Sequence, residues 1–270
     1  MNDGSGAADA GAIAAAEAYE SALVRRVFGP WAERAVAIAA PKPGEAVLDA
    51  PCGTGIGVRL AAPHVRPGGR LTGLDIDPGM LAVARRLAEE AGVEAEWHRG
   101  DLAALPFEDR AFDLCLALQG PQFASDPAAA LGEMRRVLKA DGRLVASLWG
   151  PLADNKGHHA VAQALERLGI APALKPFSLG DLEKAETLVR AAGFRDLRVE
   201  SESRPAAFPS VEAFIEGLAA GAPATRHAIA KLAEAYRAAF VEDVKRTLAP
   251  YRQAGGLELP TRFHIILAGP

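Results

Sequence analysis

Cysteine is nearly absent: Cys52 and Cys115 are the only two in 270 residues, and each sits within an apolar segment. A disulfide framework is thereby excluded, and a zinc cluster has nothing to build on, so no metal is expected. No apolar run reaches the roughly eighteen residues a bilayer span needs. The stretch from Met1 to Ala16 has no basic patch ahead of an apolar core, as a secretory leader would, which leaves the cytoplasm as the expected location. Basic excess is missing too: 30 Lys and Arg against 34 Asp and Glu give a formal charge of −4. That is the wrong balance for gripping a phosphate backbone, so nucleic acid is not an expected partner. What is abundant is Ala and aliphatic surface, enough at this length for one large α/β domain with an embellishment.

Turn signals divide the chain into alternating strands and helices. Ala12 to Ala40 reads as two helices broken at Gly29-Pro30, because proline cannot continue a helix. Short apolar runs bounded by turn residues predict strands at Ala46–Asp49, Leu71–Asp75, Ala95–His98, Phe112–Leu118 and Arg143–Trp149. Asp77-Pro78 and Asp126-Pro127 each supply an N-cap followed by a first-turn proline, and so predict helices between strands. Asp141-Gly142 is read as the turn before the fifth strand. Alternation of this kind implies a parallel, doubly wound sheet. A helix over Asp181–Ala192, closed by Gly193 and Phe194, leads to a strand near Asp196–Glu200. In the segment from Phe208 to Tyr251, Ile229, Leu232, Tyr236, Phe240, Val244 and Leu248 fall at helical spacing. This predicts a helical insertion whose stripe lines an acceptor pocket, forms a homodimer face or docks on the sheet. A last strand, Phe263–Ala268, closes the fold.

The chemistry concentrates where the first strand runs into Ala50-Pro51-Cys52-Gly53-Thr54-Gly55-Ile56-Gly57. Glycines at alternate positions let backbone lie against a ligand, and the helix that follows favours a negative group at its N-terminus. The plain alternative is a tight turn with no ligand. About twenty residues on, Asp75 ends the second strand, where a carboxylate can accept both hydroxyls of a ribose. Asp101 follows the third strand in the same way, although a turn Asp is the commoner use of such a residue.

Together the segments VLDAPCGTG, GLDIDPGML, GDLAALPFEDRAFD and EMRRVLKADGRLVASLW resemble the donor-binding domain of class I S-adenosylmethionine-dependent methyltransferases. The resemblance is to the ubiquinone and menaquinone methyltransferase-like (type 11) small-molecule group, and it runs from Gly44 to Trp149. It implies an α/β fold: a doubly wound, mostly parallel seven-stranded Rossmann-like sheet with its last strand antiparallel. Residues 1–40 would be an N-terminal helical segment, with about the first ten disordered. Residues 41–207 would form the donor-binding domain, 208–252 a helical insertion or lid, and 253–270 the last strand. It further implies S-adenosylmethionine as cofactor, with Ala50, Gly53 and Gly55 at its methionine end and Asp75 on the ribose. Ile76 and Met80 would pack the adenine, Asp101 and Leu102 would address its edge, and Gln119 would face the sulfonium. The Tyr-Asp and Asn-Pro-Pro segments of the quinone enzymes have no counterpart here, which counts against a quinone acceptor.

Methyl transfer from a sulfonium is an in-line displacement that needs alignment and exclusion of water more than any covalent step. If a general base is used, His158 and His159, between the fifth strand and a helix, are the best-placed pair. Surface placement of both is the ordinary alternative, and His64, His98, His227 and His264 have weaker claims. Tyr19, Phe28 and Trp31 suit a cap over cofactor or acceptor, but helix aromatics at such spacing more commonly pack on a core. A nicotinamide-dependent oxidoreductase shares the glycine loop and strand-end acid, but its spacing is GxGxxG where this chain has GxGxG. A protein that keeps the cofactor site without transferring methyl is the other alternative.

Overall fold

The computed structural model describes residues 9–270, apart from the side chains of Pro223 and Ala224. The expectation that about the first ten residues are disordered falls mostly on positions 1–8, which lie outside the described residues. Asp9 already caps the first helix, accepting from the Ala12 N–H at 2.6 Å.

The strands are β1 (Ala46–Asp49), β2 (Arg70–Asp75), β3 (Glu96–Arg99), β4 (Phe112–Leu118), β5 (Leu138–Trp149), β6 (Arg195–Phe208), β7 (Arg252–Gln253) and β8 (Gly256–Gly269). Their order is β3-β2-β1-β4-β5-β8-β6, and the two-residue β7 pairs with β8, so one short strand joins the seven expected. β1 to β5 are mutually parallel, while β8 runs antiparallel between β5 and β6. The chain leaves β1 outward to β2 and β3, then returns to β4 on the other side. A crevice therefore opens at the carboxyl ends of β1 and β4, where open α/β sheets take their ligands.

Both faces of the sheet are covered, as a parallel sheet requires. Alternate residues of β4 serve opposite cores: Leu114 and Leu116 pack with Trp31, Val58 and Phe263, whereas Cys115 and Ala117 pack with Leu74, Leu131 and Met134. The covering helices begin as expected. α4 (Pro78–Glu90) is capped by Asp77, α5 (Pro127–Val137) by Asp126 and α7 (Leu182–Ala191) by Asp181.

Three expectations are corrected. The N-terminal helix is not broken at Gly29-Pro30: α1 (Ala10–Tyr19) passes through a π-helical stretch, Glu20–Phe28, into α2 (Gly29–Ala39). Gly29 donates to the Val24 carbonyl five residues back, and this wider winding absorbs the missing proline donor without a stop. Asp141-Gly142 does not precede β5 but lies within it, where an irregularity between Phe112 and Leu114 on β4 takes up the extra residues. The stripe in the insertion is not continuous either. The segment folds as α8 (Val211–Gly221), α9 (Pro223–Ala230) and α10 (Glu234–Thr247), and the break before α10 leaves Tyr236 55% exposed. Ile229, Leu232, Phe240, Val244 and Leu248 join the core beside Phe208 and Phe214 rather than a pocket wall.

Candidate active site

A cavity of about 530 Å³ fills the crevice. Its floor is the turn from β1 into α3 (Ile56–Val65). Gly53 and Gly55 adopt φ of +52° and +81°, a left-handed backbone that L side chains resist. They face different ways. A Cβ on Gly53 would meet only Tyr19 Cε1 at 4.0 Å, across the cavity, while one on Gly55 would strike the Trp97 ring at 2.8 Å. Gly55 therefore seats the loop on the sheet and is not part of the cavity wall. Ala50 also stands outside: its N–H extends the ladder to the Leu116 carbonyl at 2.9 Å, and its methyl is fully buried.

Asp49, the last residue of β1, is 1% exposed and borders the cavity. Its Oδ2 accepts the Val58 N–H at 3.2 Å, and a Cβ on Gly57 would lie 2.5 Å from it, so only glycine fits there. Its other oxygen, Oδ1, has no hydrogen-bond partner among the described residues. Burial pushes the Asp49 carboxyl up to about 8; the Asp75 carboxylate adds to this, and the Val58 N–H and Arg59 oppose it. Asp75, ending β2, accepts the Gly53 N–H at 2.8 Å and the Asp77 N–H at 2.9 Å. Burial raises it as well, with those two donors pulling down. Beside it Ile76 leaves 62% of its surface open and, with Met80 and Leu102, forms an apolar slot in the cavity wall. Asp101 closes the far side and accepts the Ala103 N–H at 2.9 Å, so it holds its own turn as well as bordering the slot. Gln119, just past β4, has φ of +59°, costly for a side chain of this kind. It donates to Ser147 Oγ at 3.3 Å and accepts from Gln122 at 2.7 Å, a polar cluster that fixes it at the cavity's centre.

The N-terminal aromatics pack on the core as sequence reasoning favoured, and Tyr19, Phe28 and Trp31 also line the cavity. Tyr19 stacks on Phe28 at 5.5 Å, and Trp31 stacks on Phe263 at 4.6 Å while donating to Thr261 at 3.0 Å. Glu20 holds this segment in place: it accepts from Thr54 of the glycine turn and pairs with Arg59 at 3.0 Å. Burial, and the carboxylates of Asp75, Glu20 and Asp49, push the Tyr19 hydroxyl well above its ordinary range. Trp149, Phe263 and Leu118 complete an aromatic chamber continuous with the slot.

The two histidines part company. His158 lies in the chamber wall, with its ring edge-on to Trp149 at 4.8 Å, Phe177 at 5.5 Å and Phe214 at 5.9 Å. Burial pushes it down to about 4, and its place in the first turn of α6 (Lys156–Arg167) works in the same direction. His159 is not in the wall, because adjacent helix positions point about 100° apart. Among the described residues, no group of three or more His, Cys, Asp or Glu is arranged to hold a metal ion. No helix there is long and apolar enough to cross a membrane.

Comparison with known proteins bears on this geometry. A model described as a methyltransferase domain matches residues 48–146, from β1 into β5. Nocamycin O-methyltransferase of Saccharothrix syringae is 30% identical over 207 residues, covering 70% of this chain and 72% of that protein. The chain belongs to the class I S-adenosylmethionine-dependent methyltransferases. A demethylmenaquinone methyltransferase of Thermus thermophilus is 43% identical over 115 residues, 43% of this chain and 52% of its own. Across the first curated relatives the match spans between 20% and 52% of their length. The YcgJ protein of Bacillus subtilis shares the fold at a TM-score of 0.60 and 20% identity, over 89% of this chain and 98% of its own.

The cavity fits the cofactor of the family on its own chemistry. An orphaned buried carboxylate oxygen (Asp49), a buried strand-end carboxylate (Asp75) and an uncovered apolar side chain (Ile76) line one continuous slot. Each is costly in isolation and satisfied by a ligand with cationic, hydroxylated and flat apolar parts. Asp49 was missed from sequence, though its signal was there: an acid ending a strand that is otherwise apolar and buried on both faces.

Proposed function

We propose that the protein moves the methyl group of S-adenosylmethionine to an O, N or C nucleophile of a small, apolar organic acceptor. The observation that carries this reading is a single cavity of two characters. One end is polar at Asp49, Asp75 and Asp101, and the other is aromatic at Phe28, Trp31, Trp149 and Phe263. The cofactor supplies an electrophilic methyl on a sulfonium. In this reading the turn at Gly53 meets its methionine end, Asp49 Oδ1 its ammonium, and Asp75 its ribose hydroxyls. Ile76, Met80 and Leu102 enclose the adenine, with Asp101 at the polar edge, while Ala50 and Gly55 hold the turn from beneath. Gln119, fixed by Ser147 and Gln122, borders the junction of the two ends, where the methyl group would lie. The chain's remaining work is to align the acceptor and to exclude water, which the aromatic wall does. The names of the relatives, an O-methyltransferase for nocamycin and a demethylmenaquinone methyltransferase, support a small-molecule acceptor. The surplus of acidic over basic residues supports a reading without nucleic acid.

Calorimetry tests the donor half. S-adenosylmethionine and S-adenosylhomocysteine should bind, and NADH should not. Absence of heat for both sulfur compounds on folded protein overturns the reading. Transfer of label from methyl-labelled donor to an acceptor panel of phenols, amines and carboxylates tests the rest. Tight donor binding without any transfer would favour a non-methylating role on this fold.

A further inference from the structure

The aromatic chamber holds one feature that core packing does not explain. His158 contributes its ring to the wall beside Trp149, and neither ring nitrogen has a hydrogen-bond partner among the described residues. Around it stand Trp149, Phe177 and Phe214, none of which hydrogen-bonds to it. His158 is only partly buried, and its ring nitrogens are not among the polar atoms sealed inside the protein, so they are open to the cavity. The imidazole is thus in place for a ligand that brings the missing partner.

Resting on the methyl-transfer reading, we propose that the acceptor is a flat, apolar hydroxyl compound, a phenol or an enol. Its hydroxyl donates to a ring nitrogen of His158, which takes the proton as the oxygen takes the methyl group. The apolar, planar character follows from the wall, aromatic at Phe28, Trp31, Trp149 and Phe263, of which Phe28 is the one not fully buried. The polar group follows from the charge state of the histidine. Burial holds it neutral at ordinary pH, so it has a lone pair to accept a hydroxyl proton. A carboxylate, which Lys175 of the cavity wall could meet, brings no proton for a neutral imidazole to take and so makes no use of His158. A neutral amine brings its own lone pair and needs no base in contact. In the step itself, the O–C bond forms as the S–C bond breaks, the donor leaves as a neutral thioether, and the hydroxyl proton passes to the imidazole nitrogen. An oxygen acquiring a methyl group becomes a strong acid, so even a base weakened by burial can take its proton. The imidazolium then returns the proton to solvent through the cavity mouth.

The test uses the full chain saturated with S-adenosylhomocysteine, whose binding is measured first. 1-Naphthol, 1-methoxynaphthalene, 1-naphthylamine and 1-naphthoate are then titrated into wild type, His158→Phe and His158→Gln. 1-Naphthol should bind wild type about tenfold more tightly than its methoxy counterpart, as one buried hydrogen bond allows. That preference should vanish in His158→Phe, which keeps the apolar wall, and survive in part in His158→Gln, which keeps an acceptor atom. With labelled donor, turnover of 1-naphthol should fall at least a hundredfold in His158→Phe. Unchanged affinity of each variant for S-adenosylhomocysteine shows that it is folded. The proposal is overturned if wild type does not bind 1-naphthol, if it prefers the amine or the carboxylate, or if the hydroxyl preference persists in His158→Phe. Failure of wild type to bind S-adenosylhomocysteine is a different result and overturns the methyl-transfer reading itself.

Discussion

Replacing Asp49 with Asn separates what a buried carboxylate costs from what it is used for. Burial pushes this group up to about 8 in the folded chain, while an unfolded chain leaves it near 3.9. A group raised on folding favours the fold fully below its unfolded value, and that advantage is lost as pH climbs through the folded value. The wild type should therefore lose stability relative to Asp49→Asn between about pH 4 and pH 8. Four units at about 1.4 kcal/mol each set a ceiling of about 6 kcal/mol, and water entering the open cavity cuts this to a few. Asn retains an oxygen for the Val58 N–H, now met at 3.2 Å, so the turn should stay intact. The measurement is urea unfolding of both proteins at several pH values; taking the difference removes every group the two share.

Above about pH 8, where the Asp49 carboxyl is ionised, the same substitution removes the charge facing the donor's ammonium. A charge-assisted hydrogen bond is worth about 1.5–3 kcal/mol, so donor affinity should fall by roughly 10- to 150-fold. Asp49→Asn should thus be the more stable protein above pH 7 and the poorer binder. A stability difference that stays flat with pH would refute the argument from burial. Unchanged affinity for S-adenosylhomocysteine would refute the assignment of Oδ1.

Other substitutions divide fold from binding in the same way. Gly55→Ala, with a Cβ 2.8 Å from Trp97 and φ of +81°, should cost about 2–4 kcal/mol of stability by urea unfolding. Gly53→Ala meets open space and should cost only about 1–2 kcal/mol in stability while weakening the donor much more. Glu20→Gln breaks the pair with Arg59, whose side chains are 13% and 14% exposed, and should cost about 1–3 kcal/mol. The extra amide exchange should fall in the N-terminal helix and the glycine turn rather than in β4. His158 is pushed down to about 4, so the fold favours its neutral form. Stability should fall as pH drops from about 6.5 to about 4, by at most about 3 kcal/mol, and His158→Phe should flatten that slope.

The donor half was legible because its signals are local in the chain. A strand, a glycine turn and a helix N-terminus occupy some twenty consecutive residues, and Asp75 ends the neighbouring strand. Sequence spacing nevertheless could not tell Gly53 from Gly55: both need the left-handed backbone, and only the position of Trp97 decides which one faces the ligand. The acceptor half was not legible, since its contacts join distant parts of the chain. Trp31 reaches Thr261 across 230 residues, and Thr54 meets Glu20 across 34. Pro30 was read as a stop because the rule assumes α-helical winding, and a π stretch escapes it. The stripe ending at Leu248 misled because its spacing carries across residues 231–233, where α9 has ended and α10 has not begun.

That division bears on how the molecule could change its acceptor. Every residue placed on the donor, apart from Met80 in the first turn of α4, comes from β1, β2, β3, β4 or the turns that follow them, where a shift of register or of one glycine disturbs the sheet. The chamber is assembled differently: Phe28 and Trp31 come from the N-terminal helices, Trp149 from the end of β5, His158 from the first turn of α6 and Phe263 from β8. The helices are joined to the donor turn chiefly at one place, through Glu20 to Thr54 and Arg59. Side chains on the chamber face can therefore be exchanged while the donor carboxylates keep their hydrogen bonds. The exception is Tyr19, which sits over Gly53 and beside Asp75 on the same helix. A change there moves both halves at once, so acceptor specificity should drift through Phe28 and His158 well before it drifts through Tyr19.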